Sequence, residues 1–232
     1  PKTGVYEIEL RGGSGGGAVT YNSTWTAGPG LGATIVTRPT LTANTQYALV
    51  VGQRAEPSDN GGTGGGGGSF MYTGSIGGSG LIAAAGGGGG WIRYNNGANG
   101  MGGSGTTDSR RAGVGDTING ITQNGTGSSN GIGYGGGIQF TGQYNASSSG
   151  AGWLSIGSSN SFVYLGTNYT SGPGLHWTGG SSGSTLEGGF GGGGGSNDNW
   201  YGAGGGGGYT GGPSGNGYLP PWGAGGGGGS FY

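Results

Sequence analysis

"GGFGGGGGSNDNWYGAGGGGGYTGG", residues 188–212, places two unbroken runs of five glycines on either side of a short link carrying Trp200 and Tyr201, and "PPWGAGGGGGSFY", residues 220–232, nearly repeats the second run. Two further runs occupy 64–68 and 86–90. Glycine supplies 74 of 232 residues, about one-third against a usual share of roughly 7%. Whatever orders these runs decides the fold.

Three architectures accommodate so much glycine. Collagen needs glycine at every third place with abundant proline, because only glycine fits at the triple-helix axis; runs of five and only 8 prolines exclude it. A flexible linker is the second, but linkers lack the 6 Trp, 13 Tyr and 5 Phe found here. The third is a solid built from main chain. A polyproline II helix has three residues per turn, a rise of about 3.1 Å and no hydrogen bonds of its own. When every residue is glycine, no Cβ blocks any side, so neighbouring helices can bond to one another laterally as in polyglycine II. Each run would span roughly 15 Å.

Glycine costs about 0.5–1 kcal/mol more than alanine to fix, and an inter-helix hydrogen bond returns about 0.5–1.5 kcal/mol net. The two nearly cancel, so a lone run does not order itself. It needs a frame, and Trp91, Tyr201, Tyr209, Trp222 and Phe231 stand close to run ends, where they can supply the apolar contacts.

The frame reads as β-structure. In "TGVYEIELRGG" Tyr6, Ile8 and Leu10 alternate with Glu7, Glu9 and Arg11, the period of a strand with one face buried. "GATIVT" and "TQYALVVG" are β-rich, the latter placing Tyr47, Leu49 and Val51 on one face, with "RPTLTAN" as a turn between them. "SFMYT", "GLIAAA", "GIQFT", "WLSI", "SFVYL" and the closing "SFY" are expected as further short strands. No segment carries a helical period over three turns. The expectation is an all-β single domain over 1–232, a sandwich or jelly roll interrupted by glycine runs.

With 6% charged residues and a formal net charge of -1, the chain has no basic stripe for phosphate backbones and no polybasic patch for anionic lipid. No run of 18 apolar residues offers a membrane span. Nucleic acid and membrane insertion are therefore not expected as partners, whereas a near-zero charge favours self-association. Pro1 in place of methionine and the lack of a visible signal peptide suggest a chain cut from a longer product. Zero cysteine removes disulfides and thiolate metal sites.

Catalytic patterns are weak. His176, in "GPGLHWTGG", is the single histidine and lacks a visible nucleophile and carboxylate for a triad. The "GGSGG" match to a nucleophile elbow has no following helix. The GxGxxG matches lack one too, and the sole lysine, Lys2, serves no Walker loop. The carboxylates are scattered without metal-loop spacing, and "DSRR" at 108–111 reads as a solvated turn. No enzyme, metal or cofactor is expected. Asn22, Asn124, Asn145 and Asn168 head N-glycosylation sequons. Trp25, Trp91, Trp153 and Trp177 are expected to fill the core. Trp200, Tyr201, Tyr218 and Trp222, lying between terminal glycine runs, form the candidate aromatic contact patch for a surface glycan or protein.

The succession "GVYEIELRGGSGGG", "TLTANTQYALVVGQ", "GGTGGGGGSFM", "LIAAAGGGGGW", "GGFGGGGGSNDNWYGAGGGGGYTGG" and "GGGGGSFY" resembles the glycine-rich extracellular region of anaplastic lymphoma kinase and leukocyte tyrosine kinase. Similar domains occur in bacterial surface proteins and phage tail fibres. The likeness is most specific over 81–91 and 188–212 and least over 105–184. It implies a TNF-like jelly roll with an inserted bundle of polyglycine II helices. The receptor regions carry disulfides, which a cysteine-free chain cannot form, and their cytokine-contacting residues have no counterpart that can be assigned here. The expected function is structural or adhesive, extracellular on a cell or virion surface, with self-assembly into a filament or layer. The alternative is a recognition module binding a glycan or protein.

Overall fold

The computed structural model describes residues 2–17, 28–58, 62–92, 117–118, 121–122, 147–158, 160–164, 167–171, 186–196, 202–215 and 224–232. Among them there is no helix. Eleven short strands are present: β1 (Gly4–Val5), β2 (Ile8–Arg11), β3 (Thr34–Thr37), β4 (Thr40–Leu41), β5 (Ala48–Val50), β6 (Ser69–Tyr72), β7 (Leu81–Ala85), β8 (Thr117–Ile118), β9 (Ile121–Thr122), β10 (Asn160–Tyr164) and β11 (Thr167–Ser171). All pairings are antiparallel: β1 with β4, β2 with β3, β5–β6–β7 in one sheet, β8 with β9, and β10 with β11. The protein is all-β in its described part.

The frame has two layers. β2 and β3 pack over β6 and β7, and Leu10, Ile35, Met71, Ala83 and Ala85 are buried between them. The alanines of β7 leave the room that the larger side chains opposite fill. On the other face of the three-stranded sheet, Val50, Phe70, Tyr72 and Ala84 pack on Trp153, with Tyr209 and Phe231 alongside. The Trp153 ring stacks on Phe70 at 5.9 Å, meets Tyr72 edge-on at 5.2 Å, and donates from Nε1 to the Gly78 carbonyl at 2.9 Å. Trp91 and Trp153 are thus buried as expected; Trp25 and Trp177 lie outside the described residues.

Several strand expectations change. Leu10 is buried, but Tyr6 is largely exposed and its hydroxyl donates to the Lys2 carbonyl. Tyr47, partly buried, packs against the core, whereas Leu49 and Val51, read as sharing a face with it, are exposed. Within "RPTLTAN", Thr40 and Leu41 form β4, and the turn falls at 42–45 with Asn44 at φ 61°. "WLSI" is a bend, and "SFY" contributes one bridge, Phe231 to Ala84. "GIQFT" lies outside the described residues.

Most of the remaining described chain consists of glycine-rich segments that continue out of the strands. β2 runs into 12–17, β5 into 52–58, and β7 into 86–92, while 28–33 leads into β3 and 62–68 into β6. Paired strands stay neighbours beyond the sheet, but the spacing of their bonds changes. Ser69 pairs with Ala85 in the β6–β7 ladder; beyond it, Gly66 N–H donates to the Gly88 carbonyl at 2.7 Å and Thr63 N–H to the Trp91 carbonyl at 2.8 Å, three residues apart.

Segment 202–208, with Tyr209, lies at the centre. Its amides donate to three neighbours, each contacted again three residues on. Gly204 and Gly207 bond the carbonyls of Thr63 and Gly66, Gly205 and Gly208 those of Ser148 and Ala151, and Gly206 and Tyr209 those of Gly226 and Gly229, at 2.8–3.1 Å. Its carbonyls accept from three others: from Gly90 and Gly87, from Gly194, and from Gly215 and Gly212. The segment therefore has six hydrogen-bonded neighbours, where a sheet strand has two.

Among the described glycines only Gly74, Gly77, Gly191 and Gly192 take positive φ. Glycine is needed in the segments for clearance, since a Cβ at Gly204, Gly205, Gly206 or Gly207 would overlap a carbonyl oxygen of Gly194, Gly212, Gly87 or Gly191 respectively. Gly191 and Gly192 use conformational freedom, at the turn that reverses the chain between 186–190 and 193–196. Where a side chain does enter, it is small or bonds the backbone. Buried Thr63 donates its hydroxyl to the Gly16 carbonyl at 2.7 Å and accepts the Trp91 N–H at 2.8 Å, and Ser148 Oγ accepts the Gly195 N–H at 2.8 Å.

Candidate functional site

The segments share one polarity of placement. At one end they meet the sheets, through Arg11, Thr34, Ser69, Ala85, Trp153, Tyr209 and Phe231. At the other end lie Gly17, Gly28, Ser58, Gly62, Ile92, Ser147, Ser196, Gly202, Gly215 and Ala224. Contacts tie them into one layer. Ser58 N–H bonds the Gly17 carbonyl, Gly62 bridges Ile92, Ser147 bridges Ser196, which also bridges Leu186, and Gly215 N–H bonds the Ala203 carbonyl. Ile92, Ala203 and Ala224 form a small buried cluster there.

Trp200, Tyr201, Tyr218 and Trp222 lie outside the described residues, as do His176, residues 108–111, Asn22, Asn124 and Asn145. Asn168 falls in β11, opposite Val163. In the sequence, Trp200 and Tyr201 fall between Ser196 and Gly202, and Tyr218 and Trp222 between Gly215 and Ala224. Of the described residues nearest to them, Ala203 bonds Gly215 and packs with Ala224.

Two concavities lie at the sheet end. The first, about 270 Å³, is lined by Gly77, Gly78, Leu81, Trp153, Leu154, Tyr209 and Phe231 among others. The Tyr209 and Phe231 rings face each other at 4.9 Å. Its most useful ring for stacking a ligand, Trp153, is only 2% exposed, which makes this the open rim of the core. The second, about 340 Å³, runs between β2 and β5 and is lined by Glu9, Leu10, Arg11, Leu49, Val50, Val51 and Ser69. Sequence reading put Leu49 and Val51 on one face with Tyr47 and did not identify this groove; no signal in the sequence marks it.

The charged groups at the frame are surface pairs: Arg11 with Glu9, and Arg38 with Glu7 at 2.7 Å. Among the described residues no group of three or more His, Cys, Asp or Glu is placed to hold a metal, and no helix is long and apolar enough to cross a membrane. No protein-family model matches the chain, and no curated protein is significantly similar to it.

Proposed function

We propose that this chain is an extracellular, non-enzymatic structural and adhesive domain, carried on a cell or virion surface, that uses a rigid glycine bundle to hold a recognition end away from a β-frame. In this reading the frame is a TNF-like jelly roll, and the segments are polyglycine II helices. The bonding repeat of three residues and the six neighbours of segment 202–208 support the latter, because three residues per turn in an unobstructed main chain direct N–H and C=O groups to all sides. The resemblance to the glycine-rich region of the two receptor kinases points the same way.

The observation that carries the functional reading is the contact of Ala203 with Gly215 and Ala224, the described residues that lie near the four aromatics in the sequence. Binding residues sit preferentially on connections that a rigid scaffold positions. Two of the connections bring Trp200, Tyr201, Tyr218 and Trp222, residue types that dominate recognition energetics. The ligand class is a surface glycan or an exposed protein epitope, with aromatic faces stacking on sugar rings or anchoring an interface.

The test is binding of the labelled protein to intact cells and to immobilised glycans. The Trp200→Ala, Trp222→Ala double variant is expected to lose at least about tenfold in affinity, two aromatic anchors together being worth more than about 1.4 kcal/mol. Undiminished binding with native stability would overturn the aromatic recognition end. Self-association is the structural side of the same reading and is supported by the exposed apolar groove beside an edge of β2 that no described strand pairs.

A further inference from the structure

Segment 147–153 bonds its neighbours on three faces in turn. Ser148 and Ala151 donate from N–H to the carbonyls of Gly195 and Gly192, Gly150 and Trp153 to those of Gly212 and Tyr209, and Ser149 and Gly152 to those of Ser158 and Ser155, at 2.7–3.1 Å. Its end away from the sheets carries three consecutive serines, Ser147, Ser148 and Ser149, all fully buried. Each hydroxyl bonds the neighbour on its own face. Ser147 Oγ donates to the Gly215 carbonyl at 3.0 Å, Ser148 Oγ accepts the Gly195 N–H at 2.8 Å, and Ser149 Oγ accepts the Ser158 N–H at 2.7 Å. Ser148 and Ser149 thus each clamp one residue by two bonds, the backbone N–H donating to its carbonyl and the side-chain oxygen accepting its N–H.

Ser148 holds a further segment, because its carbonyl accepts the Gly205 N–H at 3.0 Å. Gly195 and Gly205 belong to the stems that lead into and out of residues 197–201, which include Trp200 and Tyr201. The stems also bond each other: Gly194 N–H donates to the Gly205 carbonyl at 2.8 Å, and the Ser196 hydroxyl donates to the Gly202 carbonyl. We infer that Ser148 is a positioning residue for the connection 197–201, holding both of its stems at once, with the Ser196 hydroxyl closing the base. The Ser148 carbonyl is committed to Gly205, so a side-chain oxygen is what lets the same residue hold the Gly195 N–H as well. Glycine or alanine at 148 lacks that oxygen. The buried Gly195 N–H then loses its acceptor, which costs more than the bond itself contributed, and the stem relieves this by parting from segment 147–151. The inference rests on the recognition end proposed above for its purpose, while its geometry is that of main-chain and hydroxyl contacts alone.

The test uses Ser148→Ala, Ser149→Ala and Ser196→Ala in the full 232-residue chain. Ser149→Ala is the matched control, since it removes the same kind of two-bond clamp from Ser158 instead of a stem. In Ser148→Ala the Gly195 amide is expected to exchange at least about tenfold faster than in wild type, and in Ser149→Ala at the wild-type rate. The chain has no cysteine, so cysteines introduced for Thr45, exposed on the frame, and for Asp198 take spin labels specifically. The distance distribution between them, read by pulsed electron paramagnetic resonance, is expected to shift or broaden in Ser148→Ala and Ser196→Ala and to stay as in wild type in Ser149→Ala. Thermal melts verify folding, and should Ser148→Ala not fold, the Ser196→Ala distances decide. An unchanged Gly195 rate or an unchanged distribution in folded Ser148→Ala, or a distribution altered equally by Ser149→Ala, overturns the inference. No ligand enters these measurements, so their failure is separate from a failure of glycan or protein binding, which the Trp200→Ala, Trp222→Ala variant reads.

Discussion

At Gly205 the demand on the residue is spatial. Its φ is not left-handed, yet a methyl there would occupy the position of the Gly212 carbonyl oxygen, which belongs to backbone and cannot swing aside. Both neighbours are themselves pinned by further hydrogen bonds, so relief requires moving segments apart and loses bonds on several sides. Gly205→Ala is expected to destabilise by about 3 kcal/mol or more, at the upper end of overpacking effects. Gly4, which would bring a Cβ only to ordinary contact with the Tyr6 ring at 3.8 Å, serves as the control. Gly4→Ala is expected within about 0.5 kcal/mol of wild type. Urea denaturation of the two variants measures the contrast, and equal effects would contradict a packing role for the segment glycines.

At the element scale, strand and glycine segment are one continuous chain that changes its bonding repeat from two to three. Side chains set the point of change: Leu10, Phe70, Met71 and Ala83 need a pleated sheet with two faces, whereas from Gly12, Gly68 and Gly86 outward most residues are glycine and few Cβ atoms hold the backbone to a plane. Segment 202–208 is the most enclosed, with neighbours on six sides. Amides 204–208 are therefore expected to exchange with solvent only through global opening. Leu31, 71% exposed on an outlying segment, is expected to exchange on the order of a hundredfold faster or more. Comparable rates, read by hydrogen-exchange mass spectrometry or NMR, would contradict the central placement of 202–208.

Much of this level was legible in the sequence. Alternation in "YEIELR", the β-branched content of "TIVT" and the aromatics of "SFMY" located strands that exist, because local pattern and frame agree there. Exposure was not legible. Leu49 and Val51 have the composition of a buried face, yet both are exposed. "WLSI" failed as a strand for a related reason: Trp153 is claimed by Phe70 and Tyr72, and its indole bond to Gly78 fixes a bend.

At the scale of the whole molecule, the chain has two dissimilar ends joined by a main-chain solid. One end carries the sheets, the aromatic rim around Trp153 and the open edge of β2. At the other, Ala203, Gly215 and Ala224 meet; Trp200, Tyr201, Tyr218 and Trp222 stand near them in the sequence. The sequence pointed to those four aromatics by type and position near the terminal runs. That Ala203, Gly215 and Ala224 are neighbours became apparent only from contacts between residues far apart in sequence.

An atomic-resolution crystal structure of the 202–208 segment and its surroundings tests the central claim most directly. The account predicts three residues per turn, a rise of about 3.1 Å per residue, and main-chain bonds from this segment to six neighbours, including Gly204 to Thr63 and Gly207 to Gly66. A two-residue repeat with one bonded neighbour on each side, or a segment without fixed partners, would contradict it.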